Sequence, residues 1–191
     1  MPAFKETPEY IQSLKMRPAC NRVLREVFRV DEGNIVRYSQ KDGVHILDQE
    51  FAIDLKVTLP SGGQLSGQEK ALSYHFYHYK TFTMEYWQNR YTKEPGEWFK
   101  IASQFYLSGY SDKSGIEFIE WKIIKMFPFM IWLNRFVPEQ LSDKVKPSGG
   151  SRAGFLPVPY KVIPGDCIYA EGFGPGETIV HSTIKDLQIV A

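Results

Sequence analysis

The stretch from Ile53 to Leu72, IDLKVTLPSGGQLSGQEKAL, constrains the fold more than any other part of the chain. Apolar and polar residues alternate, break at Pro60-Ser61-Gly62-Gly63, and then continue. Period-two alternation around a Pro-Ser-Gly-Gly break reads as two strands joined by a tight turn. In the first strand Ile53, Leu55, Val57 and Leu59 point one way, and Asp54, Lys56 and Thr58 the other. In the second, Gln68 and Lys70 share a face. An acid on one strand can thus stand beside an oxygen acceptor and a cation on its neighbour. A pair of oxygens can hold a hard divalent metal, and a lysine beside it can orient a water or offset phosphate charge.

Other elements follow from local signals. Thr7-Pro8 reads as an N-cap with proline in the first helical position, opening one or two helices that run to about Val30. Val23, Leu24, Val27 and Phe28 form its apolar stripe, and Asp31-Glu32-Gly33-Asn34 ends it. Strands are expected at Ile35 to Tyr38, His45 to Leu47, Ile53 to Leu59, Ser66 to Leu72, Thr81 to Trp87 and Gln104 to Ser108. In TFTMEYW, Thr81, Thr83, Glu85 and Trp87 lie on one face, and Phe82, Met84 and Tyr86 on the other. Ile116 to Lys125 mixes apolar and charged residues and fits a strand better in its first half. A short helix is expected within Phe129 to Phe136 and another turn of helix over Pro138 to Asp143. Lys146 to Gly154, KPSGGSRAG, is a loop, and Val158 to Val190 looks strand-rich.

Composition bounds the function. At 191 residues the chain fits one domain with a sizeable core. A net charge of +1 argues against a strong nonspecific polyanion binder, although the acids of a metal cluster can cancel a basic rim. Arg22, Arg25 and Arg152 are the candidate nucleic-acid contacts, and a solvated face is the plainer reading of each cluster. Aromatic residues make up 15%, which suits core strands and stacking surfaces alike. Cys20 and Cys167 have no partner motif, which points to a reducing compartment and away from a disulfide framework or a zinc site. His75 and His78 lack the further ligands that a tetrahedral site needs. The start shows no basic and apolar leader pattern, and the longest apolar run, Met126 to Leu133, is too short to span a bilayer. A cytoplasmic protein with no membrane partner is expected.

The order of an Asp strand, a Gln-x-Lys strand, a strand ending in an acid and a Gly-x-Trp segment resembles phage-type members of the PD-(D/E)XK, or restriction-endonuclease-like, superfamily. Asp54, Gln68-Glu69-Lys70, Glu85 and Gly96-Glu97-Trp98 carry the resemblance. It covers roughly residues 18 to 125. Gln68 departs from the commoner Asp or Glu, supplying an oxygen but no charge.

The resemblance implies an α/β fold whose core is a mixed central sheet flanked by helices. Residues from about 147 to 191 would be a strand-rich C-terminal extension of a single nuclease-like domain. It implies metal-dependent hydrolysis of phosphodiester bonds, with nucleic acid, DNA first, as substrate, in a bacterial or phage-infected cell. Asp54, Gln68 and Lys70 would be catalytic. Asp54, Gln68 and the Glu69 backbone carbonyl would hold Mg²⁺ or Mn²⁺, with Glu26 and Glu85 as further candidates. A homodimer is a candidate assembly. The rival expectation is a nuclease-like fold without catalysis that works through a partner surface, which both Gln68 and the near-neutral charge suit.

Overall fold

Helix α1 (Pro8–Phe28) buries Met16, Ala19, Cys20, Val23, Leu24, Val27 and Phe28. These positions recur at spacings of three and four, the period of one helix face. The computed structural model describes residues 8–38, 46–136, 138–147 and 152–182.

Beyond α1 the chain forms β1 (Ile35–Arg37), α2 (Ile46–Phe51), β2 (Leu55–Thr58) and β3 (Gln64–Leu72). Then come β4 (Thr81–Asn89), β5 (Glu94–Pro95), β6 (Phe105–Ser111) and β7 (Phe118–Lys125). Helices α3 (Met126–Leu133) and α4 (Pro138–Lys144) precede β8 (Lys146–Pro147), β9 (Gly154–Pro159), β10 (Ile168–Phe173) and β11 (Glu177–Val180). The fold is mixed α/β. A central seven-stranded sheet has the order β1-β2-β3-β6-β7-β10-β11, and a second sheet of four strands has the order β5-β4-β9-β8. The second sheet is antiparallel, whereas the central one is mixed, with β3 parallel to β6.

The expected hairpin is present. Leu59 N–H donates to the Gly63 carbonyl at 2.8 Å, Gly62 N–H donates to the Leu59 carbonyl at 2.9 Å, and Gly62 takes φ +83°, a region that glycine enters without a Cβ clash. Leu55 and Val57 from β2, Leu65 from β3 and Phe105 and Leu107 from β6 pack with the α1 stripe in one core. Gly67 is required within it, because a Cβ there would collide with the Phe105 ring. The opposite face of the central sheet gives Tyr106, Tyr110 and Ile124 to a second core, shared with Phe82, Met84 and Tyr86 of β4, Leu156 and Val158 of β9, and Phe129 and Leu133 of α3. The layers are therefore α1, the central sheet, and then the second sheet with α3. Only one face of the central sheet is covered by a helix alone.

Three expectations change. The strand expected at His45 to Leu47 is replaced by α2, with His45 itself outside the described residues. The apolar run there is too short for periodicity to separate strand from helix. Thr81 to Trp87 does form a strand with the expected alternation, but the place beside the Gln68 strand that the resemblance implies for it is not where it lies: it belongs to the second sheet. That place is taken by β6, which needs a long crossover to run parallel to β3, and β4 lies within the crossover. Finally, the C-terminal strands are not an appendage: β10 and β11 complete the central sheet and β9 pairs with β4. Among the described residues, no helix is long and apolar enough to cross a membrane.

Candidate active site

Asp54 lies just before β2, where the β2–β3 ladder ends. The register pairs Leu55 with Gly67, so Asp54 stands opposite Gln68. Its N–H donates to the Gly67 carbonyl at 3.0 Å, and its Oδ2 accepts from the Glu69 N–H at 3.1 Å. The carboxylate thus takes the place of the next backbone carbonyl in the ladder. Leu55 points into the α1 core, so by alternation Asp54 and its opposite number Gln68 belong to the other face, with Lys70 two residues on. Tyr106 and Ser108 of β6 are the register partners of Gln68 and Lys70.

Peptide groups of alternate residues in β3 point to opposite neighbours. The Ser66 carbonyl accepts from Gln104 N–H on the β6 side, whereas that of Gly67 accepts from Asp54. The Glu69 N–H and carbonyl therefore both project toward Asp54. The Glu69 side chain points the other way. It makes a two-pronged ion pair with Arg37, whose Nε and Nη2 each donate at 2.7 Å, and Arg37 Nη1 donates to Asn21 Oδ1 at 2.6 Å. This clamp ties β3 to β1 and α1 immediately behind the Asp54 contact.

The second sheet supplies the opposing wall. The Lys70 ammonium sits over the Phe155 ring, 4.7 Å from its centroid, and Phe155 is the cross-strand partner of Glu85. Glu97 follows Gly96, whose N–H donates to the Tyr86 carbonyl at 3.0 Å and whose missing side chain lets the segment lie against β4. Trp98 is buried in the second core and stacks on Tyr86. Close approach at Gly96 and anchorage at Trp98 turn Glu97 inward.

The electrostatics are those of acids crowded away from water. Burial pushes the Asp54 carboxyl well up, against the Glu69 N–H bond and with repulsion from Asp48, Glu69 and Glu97 added. Burial likewise raises Glu97, opposed by the Lys70 charge and by a hydrogen bond from the Tyr106 hydroxyl. Glu85 is also raised by burial, with Lys70 and Lys100 pulling it down. Burial and the Glu97 and Asp54 charges hold Tyr106 protonated.

The structure brings Asp54, Gln68 and Lys70 to one side of the central sheet and sets Glu85 within electrostatic reach of Lys70. Glu26, Arg22 and Arg25 lie on α1, behind the other face. Arg22 pairs with Glu117 at 2.6 Å, Glu26 accepts from Thr178 at 3.1 Å, and with Arg25 they line a cleft of about 430 Å³. The sheet separates them from the trio. Arg152 is exposed, its carbonyl accepting from Arg90 N–H at 2.8 Å, and the neighbouring residues 148–151 lie outside the described residues.

Among the described residues no group of three or more His, Cys, Asp and Glu side chains is set to hold a metal ion. A site here therefore needs the amide of Gln68. Gln68 Oε1 is buried and has no hydrogen-bond partner among the described residues, as a ligand oxygen awaiting a cation would be. Asp54, Gln68 and the Glu69 carbonyl fit a hard divalent cation in donor chemistry. Comparison with family models, curated proteins and solved structures returns no match.

Sequence reasoning did not assign roles to Glu97, Tyr106 or Arg37. The Gly96-Glu97-Trp98 string carried a usable signal: a glycine for close approach and a large anchor on either side of an acid. Nothing local marks Tyr106 or Arg37, whose partners are distant in the chain.

Proposed function

We propose that this protein is a metal-dependent phosphodiesterase acting on nucleic acid, with DNA as the first substrate to test. The observation that carries the reading is the Asp54 and Gln68 pair: a part-buried carboxylate opposite an amide whose buried oxygen lacks a partner among the described residues, with Lys70 on the same side. Asp54, Gln68 and the Glu69 carbonyl would hold Mg²⁺ or Mn²⁺. Such an ion, when bound, polarises phosphate and lowers the pKa of water. Lys70 steadies the attacking oxygen or the charge that builds on the phosphate. Arg37, through Glu69, fixes the strand that presents the Glu69 carbonyl and keeps the Asp54 contact in register. The mixed central sheet with α1 on one face also supports the restriction-endonuclease-like reading, since a mixed central sheet flanked by helices is what the resemblance implies.

A second reading is a nuclease-like protein without catalysis that acts through a partner surface. The neutral amide at Gln68 favours it. The test is cleavage of single-stranded, duplex and branched DNA and of RNA with Mn²⁺, comparing the wild type with Asp54→Asn. Metal-dependent cleavage lost in the variant supports the enzyme. Metal-independent binding without cleavage supports the second reading.

A further inference from the structure

We propose that Glu97 is the second carboxylate of the cation site and supplies the charge that Gln68 lacks. This deepens, and rests on, the reading of Asp54, Gln68 and Lys70 as a metal-dependent site.

One carboxylate and an amide make a poor seat for a strongly hydrated dication, because affinity for such ions follows ligand charge. Glu97 answers that deficit. Its Oε1 is sealed from solvent and has no hydrogen-bond partner among the described residues. An unpartnered carboxylate oxygen is among the costlier groups to bury. Two further facts place it. The Tyr106 hydroxyl lies within electrostatic reach of the Glu97 carboxylate, whose charge also acts on Asp54, and Tyr106 is the register partner of Gln68. Asp54 stands opposite Gln68 from the other side. Asp54, Gln68 and Tyr106 thus form one row across the sheet, and Glu97 reaches that row from the second sheet's side. Gln68 Oε1 and Glu97 Oε1, both buried and without a hydrogen-bond partner among the described residues, belong to and adjoin this row. Glu85 is the weaker choice, because Lys100 as well as Lys70 answers its charge and, unlike Glu97, it shows no buried, partnerless oxygen among the described residues.

The charge has moved from the strand that carries Gln68 to the segment after β5, and the two positions should be interchangeable. The experiment is Mn²⁺ titration of the full chain by calorimetry and electron paramagnetic resonance. Wild type, Asp54→Asn, Glu97→Gln, the double variant Gln68→Glu/Glu97→Gln, and Glu94→Gln as an exposed neighbouring control are compared. Glu97→Gln is expected to weaken Mn²⁺ on the order of tenfold or more. The double variant is expected to recover most of that loss, and the control to match the wild type. Without metal, Glu97→Gln is expected to unfold at a higher temperature than the wild type, which separates lost binding from lost folding. Wild-type Mn²⁺ affinity in Glu97→Gln, with binding lost in Asp54→Asn, overturns the role of Glu97 and leaves the phosphodiesterase reading standing. No Mn²⁺ binding by the wild type at millimolar metal overturns both.

Discussion

The Asp54 carboxylate accepts a hydrogen bond from the backbone N–H of Glu69 at 3.1 Å, between the two residues whose side chains it faces. That one contact fixes the acid to the strand bearing Gln68 and Lys70. It also makes Asp54 a structural acceptor, which an exposed cleft acid would not be.

Asp54→Asn and Asp54→Ala should therefore differ. Both are expected to lose metal-dependent cleavage. The asparagine keeps an acceptor for Glu69 N–H and removes a buried charge, whereas alanine leaves a buried donor unmet at a cost of about 1–3 kcal/mol. Urea unfolding without metal should rank the asparagine variant above the alanine variant, and equal midpoints would show that the contact is not retained in solution.

Lys70→Ala should lower the cleavage rate by about 10²-fold, the scale seen when one donor to a developing oxyanion is removed. Mn²⁺ affinity should stay near that of the wild type, since the ammonium lies over Phe155 and is not a ligand. A loss of affinity equal to the loss of rate would place Lys70 in a binding role instead.

Arg37→Met should destabilise the protein by about 1–3 kcal/mol, because it leaves the part-buried Glu69 carboxylate without its counter-ion. Arg37→Met combined with Glu69→Leu should recover much of this. A double-mutant cycle in denaturant measures the coupling, and simple additivity would mean that the clamp contributes nothing as a pair.

The metal-free protein should gain stability on acidification. The folded-state pKa values of Asp54 and Glu97 lie above their unfolded values, so the fold favours the protonated acids. Their penalty is absent below the ordinary carboxylate range. It grows as pH rises through that range and is complete above the raised values. The contribution of Asp54 and Glu97 to the urea midpoint should thus rise as pH falls toward the ordinary carboxylate range. Glu97→Gln should flatten the trend, and saturating Mn²⁺ should offset it in the wild type alone.

The hairpin was legible because its alternation, turn and burial all agree: Leu55, Val57 and Leu65 are fully buried and Gly62 takes the left-handed turn conformation. That Asp54, Gln68 and Lys70 share one side of the sheet was legible for the same reason, since side-chain direction in a strand follows from position. Their environment was not. Strand β7, IEFIEWKIIK in context, reads as mixed because Lys122 looks like a surface residue. In the structure it is buried, paired with Glu171 and lying 5.3 Å from the Tyr160 ring centroid. A charge satisfied by residues far along the chain cannot be recognised as buried from its neighbours. The location of Glu85 failed for a related reason. Alternation sets which way a side chain points, but it does not say in which sheet the strand lies. Glu97 needed both pieces of knowledge at once, the second sheet and its contact with β6 through Tyr106.

The pairing of β4 with β9 has a consequence for how the protein is made. Asp54, Gln68 and Lys70 leave the ribosome early, but β4 gains its central partner only when Gly154–Pro159 has been synthesised. Domains fold as units once their chain has emerged. A nascent polypeptide therefore carries the acid, the amide and the lysine without the wall that encloses them until Gly154–Pro159 has been made. The enclosed site is thus completed by a pairing between segments distant in the chain, well after its first three residues have been made.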